Sequence, residues 1–231
     1  MQRKKLNNIF DKNTAASYDN QREKLAPIKN ALHLCIRMLG SKLPADSNVL
    51  CAGVGTGEEL IYLAEAFPNW HFTAVDPSST MLDVCRQRVE ERNFSSRCDF
   101  HEGYLGSLPA SNKFNMATSI LVSHFIVDKN ERINYFTEIS SKLYPGSYMV
   151  NADLASDMST SEYESLLEVW QNMHDYAGMP AKIESFGDKV VILPIDQVKE
   201  IVKSSGFETP VQFFQTLLIH AWFSKVELGD L

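Results

Sequence analysis

Four cysteines in 231 residues, with no CxxC spacing among Cys35, Cys51, Cys85 and Cys98, leave no framework for disulfides or zinc. Two of them fall inside apolar stretches, where the thiol behaves as a small hydrophobe, so a reduced compartment is expected. Long hydrophobic runs are also missing. The longest, Ile120 to Val122 and Thr216 to Phe223, are too short and interrupted to span a bilayer, so no membrane partner is expected. No apolar run follows the basic start Arg3-Lys4-Lys5, which reads as a solvated terminus rather than a signal peptide. A soluble, cytoplasmic protein is therefore expected.

Positive charge is scarce as well. With Lys and Arg numbering 22 against 29 acids, the net charge is -7, which disfavours a broad phosphate-binding surface and direct contact with nucleic acid. No internal repeat or low-complexity segment appears. No metal is expected. The hydrophobic fraction of 44% is enough for a full core without staples.

What is present is a rhythm. Apolar spacing predicts a helix from about Ala26 to Leu39, with Gly40 as its terminator. Strand-like runs at Val49–Ala52, His71–Val75, Cys98–His101, Asn115–Val122 and Tyr148–Leu154 alternate with helical stretches at Glu58–Phe67, Ser78–Glu91 and Asn130–Leu143. Pro145-Gly146 reads as a tight turn into the fifth strand. This alternation predicts a mostly parallel α/β sheet with helices on both faces. Beyond Leu154 the rhythm breaks into a helix from Ser159 to about Tyr176, a loop from Gly178 to Asp188, and a helix from Pro194 to Ser205. Two neighbouring strands then follow within Pro210 to Val226. The expected organisation is a helical cap at 1–45 and one domain at 46–231, with an insertion at about 155–193 that could cover a site.

Gly53-x-Gly55-x-Gly57 sits where the first strand turns into a helix. Glycine there permits positive φ and lets a ligand approach the backbone, beside unpaired N–H groups at the helix start. Asp76 ends the next strand, a position from which a carboxylate can accept hydrogen bonds from both ribose hydroxyls. Glu58 stands where a dinucleotide fingerprint needs its third glycine, and no Lys follows Gly57, so a P-loop is excluded. The acids Glu58-Glu59 would also repel a pyrophosphate. A ligand with a cationic sulfonium and an amino-acid end suits this loop better.

Val49-Leu50-Cys51-Ala52-Gly53-Val54-Gly55-Thr56-Gly57 resembles motif I of the class I S-adenosylmethionine-dependent methyltransferases. Val75-Asp76-Pro77-Ser78 with Met81-Leu82 resembles motif II. Phe100-His101-Glu102-Gly103-Tyr104 through Leu108-Pro109 looks like the third motif, and Phe114 to Phe125 like the fourth. Leu143-Tyr144-Pro145-Gly146 is similar to the turn before the fifth strand. The resemblance implies a Rossmann-like, doubly wound, mostly parallel seven-stranded sheet with an antiparallel C-terminal strand. It implies S-adenosyl-L-methionine as cofactor, with Gly53, Val54, Gly55 and Gly57 at the methionine end. Asp76, Pro77 and Met81 would hold the adenosine, with Tyr104 and Leu105 near the adenine and Ser119 beneath the methionine. Tyr18, in Ser17-Tyr18-Asp19, resembles a "YD" entry that reaches the cofactor carboxylate. Arg22 could do the same, and a surface role for either stays open.

Two positions depart from the pattern. The family usually has an acid at Cys51, where Asp19 or Glu58 are candidates to compensate, and an Asp where Tyr104 stands. His124 is the candidate general base, matching the end of the fourth strand. A satisfied packing histidine is the competing reading. His174 is a weaker candidate, read as solvated. Leu166, Val169, Trp170 and Met173 recur at helical spacing, as a packed core or, with Tyr163 and Tyr176, as a lid over an apolar acceptor. The expected activity is in-line methyl transfer to a small molecule by a monomer or homodimer. Two alternatives remain: synthesis of a carboxymethyl cofactor for tRNA wobble-uridine modification, which Gln212-Phe213-Phe214-Gln215 resembles, and cofactor binding without turnover.

Overall fold

The computed structural model describes residues 23–109, 113–179 and 181–228. Tyr18, Asp19 and Arg22 lie outside them, as do residues 1–22 of the expected N-terminal cap. Helix α1 (Ala26–Gly40) opens the described chain, followed by β1 (Asn48–Ala52), α2 (Glu58–Ala66), β2 (His71–Asp76), α3 (Ser79–Glu91) and β3 (Cys98–Glu102). Then come β4 (Phe114–Ile120), α4 (Lys129–Lys142), β5 (Leu143–Leu154), α5 (Ser161–Ala177), α6 (Ile195–Lys203), β6 (Val211–Thr216) and β7 (Ile219–Lys225).

These strands form one seven-stranded sheet in the order β3-β2-β1-β4-β5-β7-β6. All neighbours pair in parallel except β7, which runs antiparallel to both β5 and β6. The order reverses between β1 and β4, so a crevice opens at the carboxyl ends of those strands. Strand alternation divides the core in two. Val49, Cys51, Phe72, Ala74 and Met116 pack with Leu60, Leu82 and Cys85 on one face. Leu50, Ala52, Ala117 and Met149 pack with Phe136, Ile139 and Ile201 on the other.

Three expectations are corrected. Gly40 is the last residue of α1, which is capped by Ser41, and does not terminate it in a left-handed conformation. A Cβ at Gly40 would meet the Trp70 ring at 2.6 Å, so close packing explains the glycine. Pro145-Gly146 is not a turn before the strand but lies inside β5. Pairing slips there, with Phe114 opposite Leu143 and Met116 opposite Tyr148, so extra residues bulge out around Gly146 at φ +77°. His174 is buried rather than solvated, its Nδ1 2.9 Å from the Trp170 carbonyl and its ring against Trp170. No helix among the described residues is long and apolar enough to cross a membrane.

Candidate active site

The glycine loop is fastened to the second strand. The Gly53 and Val54 N–H groups both donate to the Val75 carbonyl, at 2.8 and 3.1 Å, and Gly57 N–H closes the bend on Val54 O at 3.0 Å. All three glycines have positive φ: +72°, +56° and +83°. Each has a different spatial reason. A Cβ on Gly53 would strike Val122 at 2.6 Å and one on Gly57 would strike the Cys85 sulfur at 2.4 Å. A Cβ on Gly55 would meet nothing within 4 Å. It would project into the open space beside the loop, which is where a ligand can lie against bare backbone.

Asp76 faces that space from the end of β2. Its Oδ2 accepts from Gly55 N–H at 2.9 Å and its Oδ1 from Ser78 N–H at 2.8 Å. Burial pushes the carboxyl upward, while those two backbone donors pull the other way. Ser78 caps α3 by accepting from Met81 N–H, which brings Pro77 and the buried Met81 alongside Asp76. Glycine loop, acid and Met81 thus form one cradle, and these residues fit an adenosyl group with an amino-acid tail. Tyr104 precedes a 3-10 turn, Leu105–Ser107, and its carbonyl accepts from Ser107 N–H. The side chain of Leu105 is buried in the core with Phe136 and Val75. Ser119 is fully buried near the end of β4, its Oγ 2.8 Å from the Tyr135 hydroxyl, which reaches toward the Ala52 carbonyl.

His124 does not end β4 but lies beyond it, in the 3-10 turn Ser123–Phe125. The chain reaches that turn through Leu121, a non-glycine residue at φ +59°, held by its N–H on Ala152 O at 2.7 Å. Such a conformation is costly for leucine and marks a turn fixed by its surroundings. Next comes Val122, the residue that covers Gly53. The turn therefore sits directly against the glycine loop.

Below the turn lies Asp153, which sequence reasoning did not single out. Asp153 Oδ1 accepts from His124 N–H at 3.0 Å and sits 2.9 Å from His124 Nδ1, and Oδ2 accepts from Ser123 Oγ–H at 2.6 Å. Both partners are almost wholly buried, at 5% and 1% side-chain exposure. A carboxylate that accepts from the Nδ1 side of a histidine fixes the imidazole tautomer. Arg132, itself buried, lies within electrostatic reach of Asp153. Its Nε donates to Ile126 O and its Nη2 reaches Val191 O, so it joins the His124 turn to the end of the insertion. Val191 N–H in turn donates to His124 O at 2.8 Å.

The insertion roofs this end of the sheet. Trp170, Tyr163, Leu154 and Ile192 form a buried cluster against which Leu121 and Phe125 pack. Tyr176 is instead exposed, with Lys24 over its ring. Of the two acids proposed to compensate for Cys51, Glu58 is paired with Lys29 and Asp19 lies outside the described residues. Among the described residues, no group of three or more His, Cys, Asp or Glu is placed to hold a metal.

Residues 49–146 match the family model described as a methyltransferase domain. The chain is 29% identical over 82 residues to carboxy-S-adenosyl-L-methionine synthase of Campylobacter jejuni, a match covering 35% of each protein. It therefore spans about a third of that curated relative. Among solved structures, an O-methyltransferase family 2 protein from Planctomyces limnophilus, in complex with apigenin, superposes at a TM-score of 0.64 and 12% identity. That match covers 94% of this chain and 62% of the other. The cyclase SpnF superposes at 0.63 and 16% identity, covering 87% and 83%. At such identities the structural likeness speaks for the fold alone.

Proposed function

We propose methyl transfer to a small apolar acceptor, on the premise that residues 49–146 form a class I, S-adenosylmethionine-dependent methyltransferase domain. When bound, S-adenosylmethionine supplies a methyl group already activated by its sulfonium. The protein's task is then alignment, exclusion of water and, for a neutral nucleophile, removal of a proton. Gly53, Gly55 and Asp76 would hold the cofactor, with the buried Met81 beside them.

The observation that carries the reading is the His124–Asp153 pair beside the glycine loop. With Nδ1–H turned toward Asp153, the imidazole keeps Nε2 free of its proton. Among the described residues Nε2 has no hydrogen-bond partner. With the cofactor bound, Nε2 would accept the proton that an acceptor hydroxyl gives up when it is methylated. Asp153 stabilises the imidazolium that results. Leu121, Phe125, Leu166 and Met173 are partly buried apolar side chains packed against the core of the insertion, surroundings that suit an acceptor hydroxyl carried on an apolar or aromatic frame.

The net charge of -7 supports a small acceptor over a nucleic acid, and the buried unpaired thiols of Cys51, Cys85 and Cys98 support a reduced, cytoplasmic setting. The test is incubation with S-adenosylmethionine and a panel of apolar alcohols and phenols, reading S-adenosylhomocysteine and methylated product. Product from the wild type and its loss in His124→Gln support the reading. Full turnover in His124→Gln removes the proposed base.

A further inference from the structure

The cofactor's methionine end carries an ammonium, and the position that usually answers it is Cys51. That thiol is fully buried, and burial together with the nearby Glu59 carboxyl holds it well above its ordinary range, so it stays neutral. Glu58 is already engaged by Lys29. Glu59 is different. Adjacent positions on a helix point about 100° apart, so while Glu58 turns outward, Glu59 turns into the protein and is only 8% exposed.

Its setting is specific. Gly57 closes the glycine loop and is the N-cap of α2, so Glu59 falls in the first helical turn, immediately past the loop. Cys51 of β1, Cys85 of α3 and Asp76 of β2 all lie within its electrostatic reach. On its other side it borders a small gap with His33, Ile36 and Tyr62. Among the described residues its carboxyl is hydrogen-bonded only to its own backbone N–H. A buried carboxyl in that state is costly until a cation reaches it.

We propose that Glu59 supplies, from beneath the glycine loop, the carboxylate that Cys51 lacks, and holds the amino group of the cofactor's methionine end. The inference rests on the cofactor reading given above and adds one residue to it. The charge balance has a consequence. Burial, with Glu58 and Asp76 adding negative charge nearby, raises the Glu59 carboxyl to about 8, while His33, facing it from α1, is held down to about 4 and is neutral. Glu59 is thus protonated at neutral pH before the ligand arrives. An ammonium set against it favours the carboxylate, and the proton leaves to solvent as the ligand binds.

The experiment is isothermal titration calorimetry at pH 7, in two buffers of different ionisation enthalpy. The ligands are S-adenosylhomocysteine and methylthioadenosine, which share nucleoside and sulfur, but only the first has the amino-acid end. Glu59→Gln is expected to weaken S-adenosylhomocysteine roughly tenfold or more while leaving methylthioadenosine unchanged. The wild type should release more protons with S-adenosylhomocysteine than with methylthioadenosine, and Glu59→Gln should abolish the difference. Adding Cys51→Asp to Glu59→Gln should restore affinity. Unchanged binding of S-adenosylhomocysteine by Glu59→Gln, or an equal loss of both ligands, overturns the proposal. If the wild type binds neither ligand, the cofactor reading itself is what fails.

Discussion

Asp153 Oδ1 accepts two hydrogen bonds from one residue, at 3.0 Å from the His124 backbone N–H and 2.9 Å from Nδ1. A carboxylate gripping both ends of the same histidine fixes its position and its tautomer together. This makes Asp153 a positioning residue with a distinct kinetic signature.

Asp153→Asn keeps the shape but can present its amide N–H to Nδ1, which favours the wrong tautomer. We expect kcat to fall on the order of a hundredfold to ten-thousandfold, with KM for the acceptor little changed. Steady-state kinetics over pH on an identified acceptor checks this. A large rise in KM at unchanged kcat would make Asp153 a binding residue instead.

The glycines of the loop should separate folding from binding. Gly57→Ala places a methyl 2.4 Å from the Cys85 sulfur at φ +83°, and should cost about 2–4 kcal/mol in urea denaturation. Gly55→Ala has φ +56° but open space, so it should cost only about 1 kcal/mol. Its methyl enters the ligand's side of the loop, and S-adenosylhomocysteine affinity should drop in an otherwise stable protein. Equal stability loss in the two variants would contradict the assignment of their surroundings.

His33 gives a pH signature. Burial, and then nearby Lys29, lower it from 6.5 to about 4, so the folded state prefers the neutral ring. Its favourable contribution is complete above pH 6.5 and is lost as the pH falls toward 4, because the unfolded chain takes up the proton first. His220 is lowered to about 4 chiefly by burial and acts in the same direction. Carboxyls with raised values, Glu59 among them, oppose this, so the measurement must be a difference. The stability of His33→Phe relative to wild type, from urea titrations between pH 7 and 4.5, should shift in the variant's favour on acidification. A constant difference would show that His33 is not buried as described.

Much of this site was legible in the residues. Strand–helix alternation from Val49 to Leu154 gave the parallel sheet, and the glycine spacing with Asp76 marked residues that the structure brings together. Asp153 was not seen, although an acid between Ala152 and Leu154 at the end of β5 was a signal, since a buried carboxylate needs donors. Its partner is fixed by the β4–β5 register, Ser119 opposite Asn151 and Ile120 opposite Ala152, which carries His124 over Asp153. Side-chain periodicity does not encode that register between strands buried on both faces. Glu58 and Glu59 were indistinguishable for a related reason: packing against α1 and α3, not composition, decides which acid turns inward. Gly40 was misread because a glycine ending a helix serves equally as a cap or as room for an aromatic ring.

The most direct test of the central claim is equilibrium binding of S-adenosylhomocysteine to the wild type and to Asp76→Ala. Asp76 is the one side chain expected to reach the ribose and also to hold Gly55 and Ser78. We expect saturable binding with unit stoichiometry by the wild type and a loss of affinity of at least about tenfold in the variant, with its thermal transition still cooperative. Absence of binding by the wild type, or equal affinity in Asp76→Ala, would contradict the account.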